Sequence, residues 1–444
     1  MVQKKAITDW GKYPVVEAEF MEPASPEKFT PDFSRPLIAR GLGRCYGDSA
    51  LGDRIVSTLN WNKFLAFDDL TGRLTCESGV SFDEIIRTFL PRGFFLPVTP
   101  GTKYITVGGA IAGDIHGKNH HGEGTFSRHV DSFDLLMGEG IVQTCSRTEN
   151  SGLFWATCGG MGLTGIILRA SFFLKRVETA YIRQKSIKAR NLDHILDLFE
   201  EYEDYTYSVS WIDCLARGRN MGRSLLYLGE HALPDELNAG AKKHPFLLHR
   251  EPRLQVPFDF PSFALNRFSV KAFNFLYYHK APSGQHDSLI HYDPYFYPLD
   301  SVLHWNRIYG KRGFTQYQFV IPREGGREGM KRILNRIADS GLGSFLAVLK
   351  VFGKEEARHL LFPAEGYTLA LDFPITKSLF PLLDELDREV TGCGGKIYLN
   401  KDVRLKPDAF SKMYPMEEIS RFRKENKVAG IFESRQSLRI FGNV

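Results

Sequence analysis

Between Pro100 and His121 the chain reads PGTKYITVGGAIAGDIHGKNHH, with five glycines and three histidines in twenty-two residues. Glycine has no Cβ, so a stretch this rich in it marks backbone that must come close to something. Two more such stretches lie nearby, ARGLGRCYGDSALGD at 39–53 and CGGMGLTGI at 158–166. Successive backbone N–H groups in such turns make anion-binding concavities, so converging loops can hold a pyrophosphate without a Walker lysine. Gly41-x-Gly43 follows a strand-like run, but CYGDSALGD follows it where a Rossmann phosphate turn would open a helix. The pattern favours a large dinucleotide held by loops over a mononucleotide on a Rossmann turn.

The rest of the chain is that of a folded protein with two or three units. Its 444 residues are 43% hydrophobic, enough for a sizeable core. The formal charge of +5, from 57 basic and 52 acidic residues, is small and mixed along the chain, and does not indicate a nucleic-acid binder. The first residues, MVQKKAITDWGKYPVV, lack the apolar stretch of a signal peptide, and no later run approaches the roughly 20 apolar residues of a spanning helix. Cytoplasmic location is the expectation. Cys45, Cys76, Cys145, Cys158, Cys214 and Cys393 show no CxxC spacing, and are expected to be reduced and mostly buried. His116, His120 and His121 sit among glycines with no carboxylate or cysteine at a metal spacing, so no metal is expected.

From Pro36 to about Leu174, short β-like runs alternate with glycine turns: PLIARG, RIVSTLNW, RLTCESGV, SFDLLMGEG and GIILRASFFL. The spacing predicts one helix among them, in SFDEIIRTFLPRG, with Ser81 as N-cap, Glu84 three residues on and Gly93 past its end. From Thr179 to Lys396, amphipathic helices in NLDHILDLFEEYEDY and GMKRILNRIADSG accompany the strand-like QYQFVIP, SFLAVLKVFG and YTLALDFPI. This predicts an α+β chain with a sheet backed by helices. Between Glu251 and Lys280 lie eight aromatic residues and a basic excess, with Leu265, Phe268, Ala272, Phe275 and Leu276 at helical spacing. Two readings are open: a helix buried on its own domain, or a membrane-interfacial segment with Arg267 and Lys271 near headgroups.

ARGLGRCYGDSA, PGT…TVGGAIAGDIHGKNHH and FWATCGGMGLTGII together resemble the FAD-binding domain of vanillyl-alcohol-oxidase-type flavoproteins. Within that type, HGKNHH, WNRIYG, TQYQFVIP, LDFPI and NKDVR, in this order, resemble the decaprenylphosphoryl-β-D-ribose 2′-oxidases, the flavin subunits of the epimerases that make arabinofuranose donors. The resemblance runs from about Pro36 to the C-terminus. It implies an α+β, two-domain flavoprotein: an FAD-binding domain over 1–178, a substrate domain over 179–396, and a segment over 397–444 that returns to the first. It implies oxidation of the 2′-hydroxyl of a polyprenylphosphoryl ribose, with a short-chain dehydrogenase/reductase partner completing epimerisation. It also implies peripheral contact with the inner face of the cell membrane. An FAD-dependent oxidase of a soluble sugar or aldonolactone is the alternative.

The resemblance assigns Gly41, Gly43, Arg44, Cys45, Tyr46 and Gly47 to the pyrophosphate loop. It adds Gly101, Thr102, Val107, Gly108, Gly109, Asp114, Gly117, Asn119, His121, Gly162 and Ile166 as further FAD contacts. Lys118, Trp211, Gln316, Gln318, Lys350, Phe352 and Ala370 would line the substrate side. His116 would sit beside the isoalloxazine and take the hydroxyl proton, an imidazole of ordinary pKa near 6.5 being suited to that work. Lys401 would stabilise the reduced flavin electrostatically, and Lys118 and Lys350 would meet the substrate phosphate. Related flavoproteins often tether FAD through a histidine where this chain has Cys45, so the FAD is expected to be non-covalent. Ala370 stands where family members carry a cysteine, and Thr368 and Gly113 also replace family residues; these departures bear on inhibitor chemistry and substrate fit.

Overall fold

A computed structural model describes residues 2–249, 254–261, 263–355 and 360–442. The fold is α+β. In the N-terminal half, a mixed four-stranded sheet is ordered Val2–Thr8, Val15–Met21, Arg54–Ser57, Ile38–Arg40. An antiparallel five-stranded sheet is ordered Phe64–Asp68, Arg73–Glu77, Ile166–Phe173, Val130–Leu136, Val142–Ser146. The expected helix is Phe82–Phe89. It is capped reciprocally: the Glu84 N–H donates to Ser81 Oγ at 3.2 Å, and the Ser81 N–H donates to Glu84 Oε2 at 2.7 Å. The two N-terminal strands are not among the runs read from the sequence, although Val16, Ala18 and Phe20 alternate with Glu17 and Glu19 in Val15–Met21, of which only Ala18 is fully buried.

The second half is built on an eight-stranded antiparallel sheet. Its order is Gln285–His291, Tyr181–Ala189, Ser224–His231, Tyr207–Ile212, Ala347–Phe352, Gly366–Pro374, Phe314–Pro322, Lys396–Ile397. The helices Leu192–Glu201, Gly326–Ser340 and Leu379–Gly392 cover one face. Side chains alternate across a strand, so each central strand serves two environments. Tyr317, Phe319 and Ile321 join the core under the helices, as do Leu349 and Val351, and Leu369, Leu371 and Phe373. The intervening Gln316, Gln318, Lys350 and Ala370 face the other way.

The chain after Ile397 runs back across the N-terminal half through the short helices Pro407–Met413, Met416–Glu425 and Arg435–Phe441. Leu37 bridges to Phe432, and the Arg439 guanidinium reaches Asp48 at 2.7 Å and Asp402 at 2.9 Å. Gly47 lies so close to this return that a Cβ there would overlap the Asp402 carbonyl oxygen.

Of the aromatic segment 251–280, residues Glu251, Pro252, Arg253 and Ser262 lie outside the described residues. The helix is present, Arg267–Lys280, but it buries only Val270 and Asn274, so the buried-helix reading does not hold. Among the described residues, no helix is long and apolar enough to cross a membrane.

Gly47→Ala is expected to destabilise the protein by about 3 kcal/mol, as overpacking against fixed backbone does. Gly101→Ala, whose Cβ would meet no protein atom within 4 Å, is expected to stay within about 0.5 kcal/mol of the parent. Urea unfolding of the two variants beside the parent makes the comparison.

Candidate functional site

The glycine loops and the helix-free face of the large sheet enclose a cavity with ≈ 330 Å³ open to the centre of a water-sized sphere. From the first loop come Gly41, Gly43, Arg44, Cys45 and Tyr46; from the second, Gly101, Thr102, Gly108 and Gly109; from the third, Gly162. Gln316, Gln318, Lys350 and Ala370 form the facing wall, and His116 and Lys401 close the junction. The sheet register explains that wall. Trp211 pairs with Val348, Val348 with Ala370, and Ala370 with Gln318; two residues from Val348, Lys350 pairs with Thr368, and two residues from Ala370, Asp372 pairs with Gln316.

The polar groups of the wall orient one another. Gln318 Nε2 stands 3.0 Å from His116 Nε2 and donates to Thr368 Oγ1 at 3.3 Å. Gln316 Nε2 donates to Asp372 Oδ1 at 2.5 Å, and the Tyr309 hydroxyl donates to Asp372 Oδ2 at 3.4 Å. Each amide nitrogen is thus committed to the protein, which leaves each Oε1 as an acceptor for a ligand. Burial holds the His116 imidazole well below its ordinary pKa of 6.5, and the charges of Lys350 and Lys401 push the same way. His116 is therefore neutral at physiological pH, and the expectation of an ordinary imidazole pKa there does not hold.

Burial depresses the pKa of three lysines here, of which Lys350 and Lys401 line the cavity. Lys350 is brought down to about 7 by burial and by the charge of Lys401. Lys401 lies 3.9 Å above the Tyr46 ring; burial lowers its pKa, while Asp372 and Cys45 oppose the shift. Asp372 is raised by burial, against the pull of the Gln316 hydrogen bond and Lys401. Lys118, lowered to about 7, points away from the cavity: its ammonium donates to the Tyr295 carbonyl and lies 4.2 Å from that ring.

Other residues singled out from the sequence support the cavity without lining it. Gly47 receives the C-terminal return, and Val107 and Ile166 are core. The Asp114 carboxylate accepts from Thr125 Oγ1, Ser127 Oγ and Ser127 N–H, at 3.0, 2.9 and 2.9 Å, and so fixes the second loop. Gly117 leaves room for the Asn119 side chain, whose Nδ2 donates to the Pro97 carbonyl at 2.8 Å. His121 Nε2 donates to the Tyr205 carbonyl at 2.7 Å. Trp211 donates to the Phe345 carbonyl at 3.0 Å, and Phe352 packs 4.8 Å from the His116 ring.

Trp10, Asp300, Trp305, Tyr398 and Asn400 also line the cavity; Trp305 and Asn400 open the WNRIYG and NKDVR runs, whereas Trp10, Asp300 and Tyr398 carry no glycine or strand signal that would single them out. Asn400 opens the NKDVR run and Tyr398 lies two residues before it; both donate to the Gly113 carbonyl, at 3.2 and 2.9 Å. Arg44 lies 3.9 Å over the Trp10 ring and 5.3 Å from Tyr104, and among the described residues it makes no ion pair. A glycine-walled cavity with this arginine at one end and oriented amides at the other fits a dinucleotide.

Residues 28–146 match the model of a family described as FAD binding domain. The chain is 37% identical to the decaprenylphosphoryl-beta-D-ribose oxidase of Mycolicibacterium smegmatis, over 98% of this chain and 97% of that protein. It is 34% identical to an uncharacterized protein of Streptomyces coelicolor, over 76% of this chain and 93% of the relative. To cytokinin dehydrogenase 3 of Arabidopsis thaliana it is 29% identical, over 37% of this chain and 32% of the relative.

The Cys45 thiol is pushed up to about 11, first by burial and then by Asp9, so little thiolate is present to form a link to a flavin. Acid or heat is expected to release intact FAD into the supernatant. Yellow colour that stays with the denatured polypeptide would reveal a covalent bond.

Proposed function

Because the chain belongs to the family of FAD-dependent decaprenylphosphoryl-β-D-ribose oxidases, we propose that it oxidises the 2′-hydroxyl of a polyprenylphosphoryl-β-D-ribose to the 2′-ketone. It is an FAD-dependent oxidoreductase. The observation that carries the substrate reading is the convergence of Lys401, His116, Gln316 and Gln318 on the cavity wall opposite the glycine loops. Residues 1–178 and 397–444 hold the cofactor in this reading, and 179–396 supply the substrate wall.

FAD, when bound, supplies the two-electron acceptor for the hydride that leaves C2 of the sugar. The protein's work is to bind, orient and move the hydroxyl proton. Arg44 and the loop N–H groups suit the pyrophosphate. The two carboxamide oxygens accept hydrogen bonds from sugar hydroxyls, which fixes the ring. His116, held neutral, accepts the hydroxyl hydrogen at Nε2, where the substrate hydroxyl displaces the Gln318 amide hydrogen, as the C–O bond gains its double-bond character. Lys401 places a positive charge where negative charge develops, a preorganised stabilisation that solvent need not supply. Lys350 takes the phosphate side without Lys118, whose ammonium is spent on Tyr295.

The product is a keto sugar, so an epimerisation needs a second reduction on the opposite face. We assign that step to a separate short-chain dehydrogenase/reductase. A lipid-linked substrate puts the enzyme at the inner face of the cell membrane as a peripheral protein.

Anaerobic mixing of the holoenzyme with polyprenylphosphoryl ribose is expected to bleach the flavin absorbance. Bleaching by a soluble aldonolactone or free sugar, and not by the lipid-linked ribose, would transfer the function to the alternative oxidase.

Lys401→Met is expected to slow flavin reduction by about 10²- to 10³-fold. The active form is the protonated lysine, so the rate falls as pH rises through its pKa, which lies below the ordinary 10.5. Asp372→Asn removes the negative charge that opposes this depression. The falling limb of the pH profile should therefore move to lower pH, while a purely structural role for Asp372 would leave its position unchanged.

A further inference from the structure

The helix Arg267–Lys280 turns large apolar side chains outward as well as inward, unlike a soluble amphipathic helix. Its apolar stripe points to solvent: Phe268 is 82% exposed, Leu276 67% and Phe275 53%, and Ala272 between them is exposed. Its inward side buries Val270 and the polar Asn274, whose Nδ2 donates to Asp213 Oδ1 at 2.9 Å. Phe263, 77% exposed just before the helix, extends the same apolar surface. Exposed apolar patches this dense mark an interaction surface.

The charge on the patch narrows the partner. From Phe260 to Lys280 the chain carries Arg267, Lys271, His279 and Lys280 and no acidic residue. Bulky aromatics with interspersed cations suit the headgroup boundary of an anionic bilayer, where rings enter the acyl edge and ammonium groups meet phosphates. The patch also adjoins the substrate wall. Tyr277 packs 4.7 Å from Trp211, the register partner of the cavity residue Val348. Phe273 packs 5.5 Å from Phe345, which lies 5.9 Å from Tyr309, the residue that donates to Asp372.

We propose that the outward stripe Phe268–Ala272–Phe275–Leu276, flanked by Phe263, is a membrane-docking face for anionic lipid, placed to deliver a lipid-linked sugar to the adjoining cavity. It deepens the substrate reading above. The surface itself is tested without turnover, so the two can fail separately.

The experiment is sedimentation of the holoenzyme with vesicles of phosphatidylcholine alone and with about 30% phosphatidylglycerol, in low and high salt. The native protein should bind the anionic vesicles, less well as salt rises. Each basic residue near the surface is worth about 1 kcal/mol, so Arg267→Glu with Lys271→Glu should weaken binding at least ~30-fold in low salt. Phe268→Ser, Phe275→Ser and Leu276→Ser together should also weaken binding by more than ~10-fold, since each substitution removes apolar area that would be buried in the bilayer. These side chains contribute little to the folded core, and retained FAD and an unchanged melting temperature check that the variant is folded. Equal sedimentation of native and variant proteins overturns the proposal. So does a concentration-dependent dimer that the triple serine variant abolishes, which would make the stripe a contact between copies of this chain.

Discussion

The site hangs on the buried carboxylate of Asp402. Burial alone would raise its pKa, yet Arg439, Arg404 and the N–H groups of Arg404 and Leu405 hold it below the usual carboxylate range. Those N–H groups lie at 2.9 and 2.7 Å and the Arg439 guanidinium at 2.9 Å, so the charge is matched by several donors at once. A buried ion so satisfied is a junction; losing one partner would strand a charge, which is costly. Through Arg439 it ties to Asp48 in the first glycine loop, and its own carbonyl fills the space that Gly47 leaves. Lys401 precedes it in the chain. The position of Lys401 is therefore set by a joint between the C-terminal return and the loop, outside the sheet that supplies the amides.

The sheet contributes a different kind of precision. A strand of period two must send successive residues to opposite faces, and here one face is hydrophobic core and the other is cavity. The core residues Tyr317, Phe319 and Ile321, Leu349 and Val351, and Leu369, Leu371 and Phe373 fix the register, because a slip by one residue would bury Gln318 and Lys350 among the helices. Gln316, Gln318, Lys350 and Ala370 then sit where they do as a consequence of what their neighbours bury. Ile333 and Leu334 of the covering helix belong to the core on the far face, and the pleat alone aims the near one. Asp372 and Thr368 finish the work by fixing which end of each amide faces the cavity.

The legible parts of the chain were those with a local cause. Ser81 and Glu84 predict a capped helix because the capping box is contained in four residues, and the structure has it. Glycine density locates the loops because absent side chains are visible in the sequence. The lining by Trp10 and Asp300 is not legible: they reach the cavity only through long-range packing, as when Asn306 Nδ2 donates to the Trp10 carbonyl at 3.0 Å across most of the chain. Lys118 shows the converse. Its place in HGKNHH suggests the substrate, but the Ser208 N–H donates to its carbonyl at 2.9 Å and its side chain turns into the Tyr295 ring.

The electrostatics of the cavity explain why such a wall is kept at a cost to stability. Lys350 and Lys401 each suffer burial, and the charge of Lys401 depresses Lys350 further. Asp372 offsets part of this for Lys401, but burial works against its own ionised form as well. Charges held in this way are poorly solvated until an anion comes to them. In the function proposed above, a substrate phosphate entering beside Lys350 would favour its ionised form, because an opposite charge at close range favours the charged form. The cost is thus local to the wall where the proposed substrate would bind, while the Asp402 joint that positions Lys401 has its charge matched from within the protein.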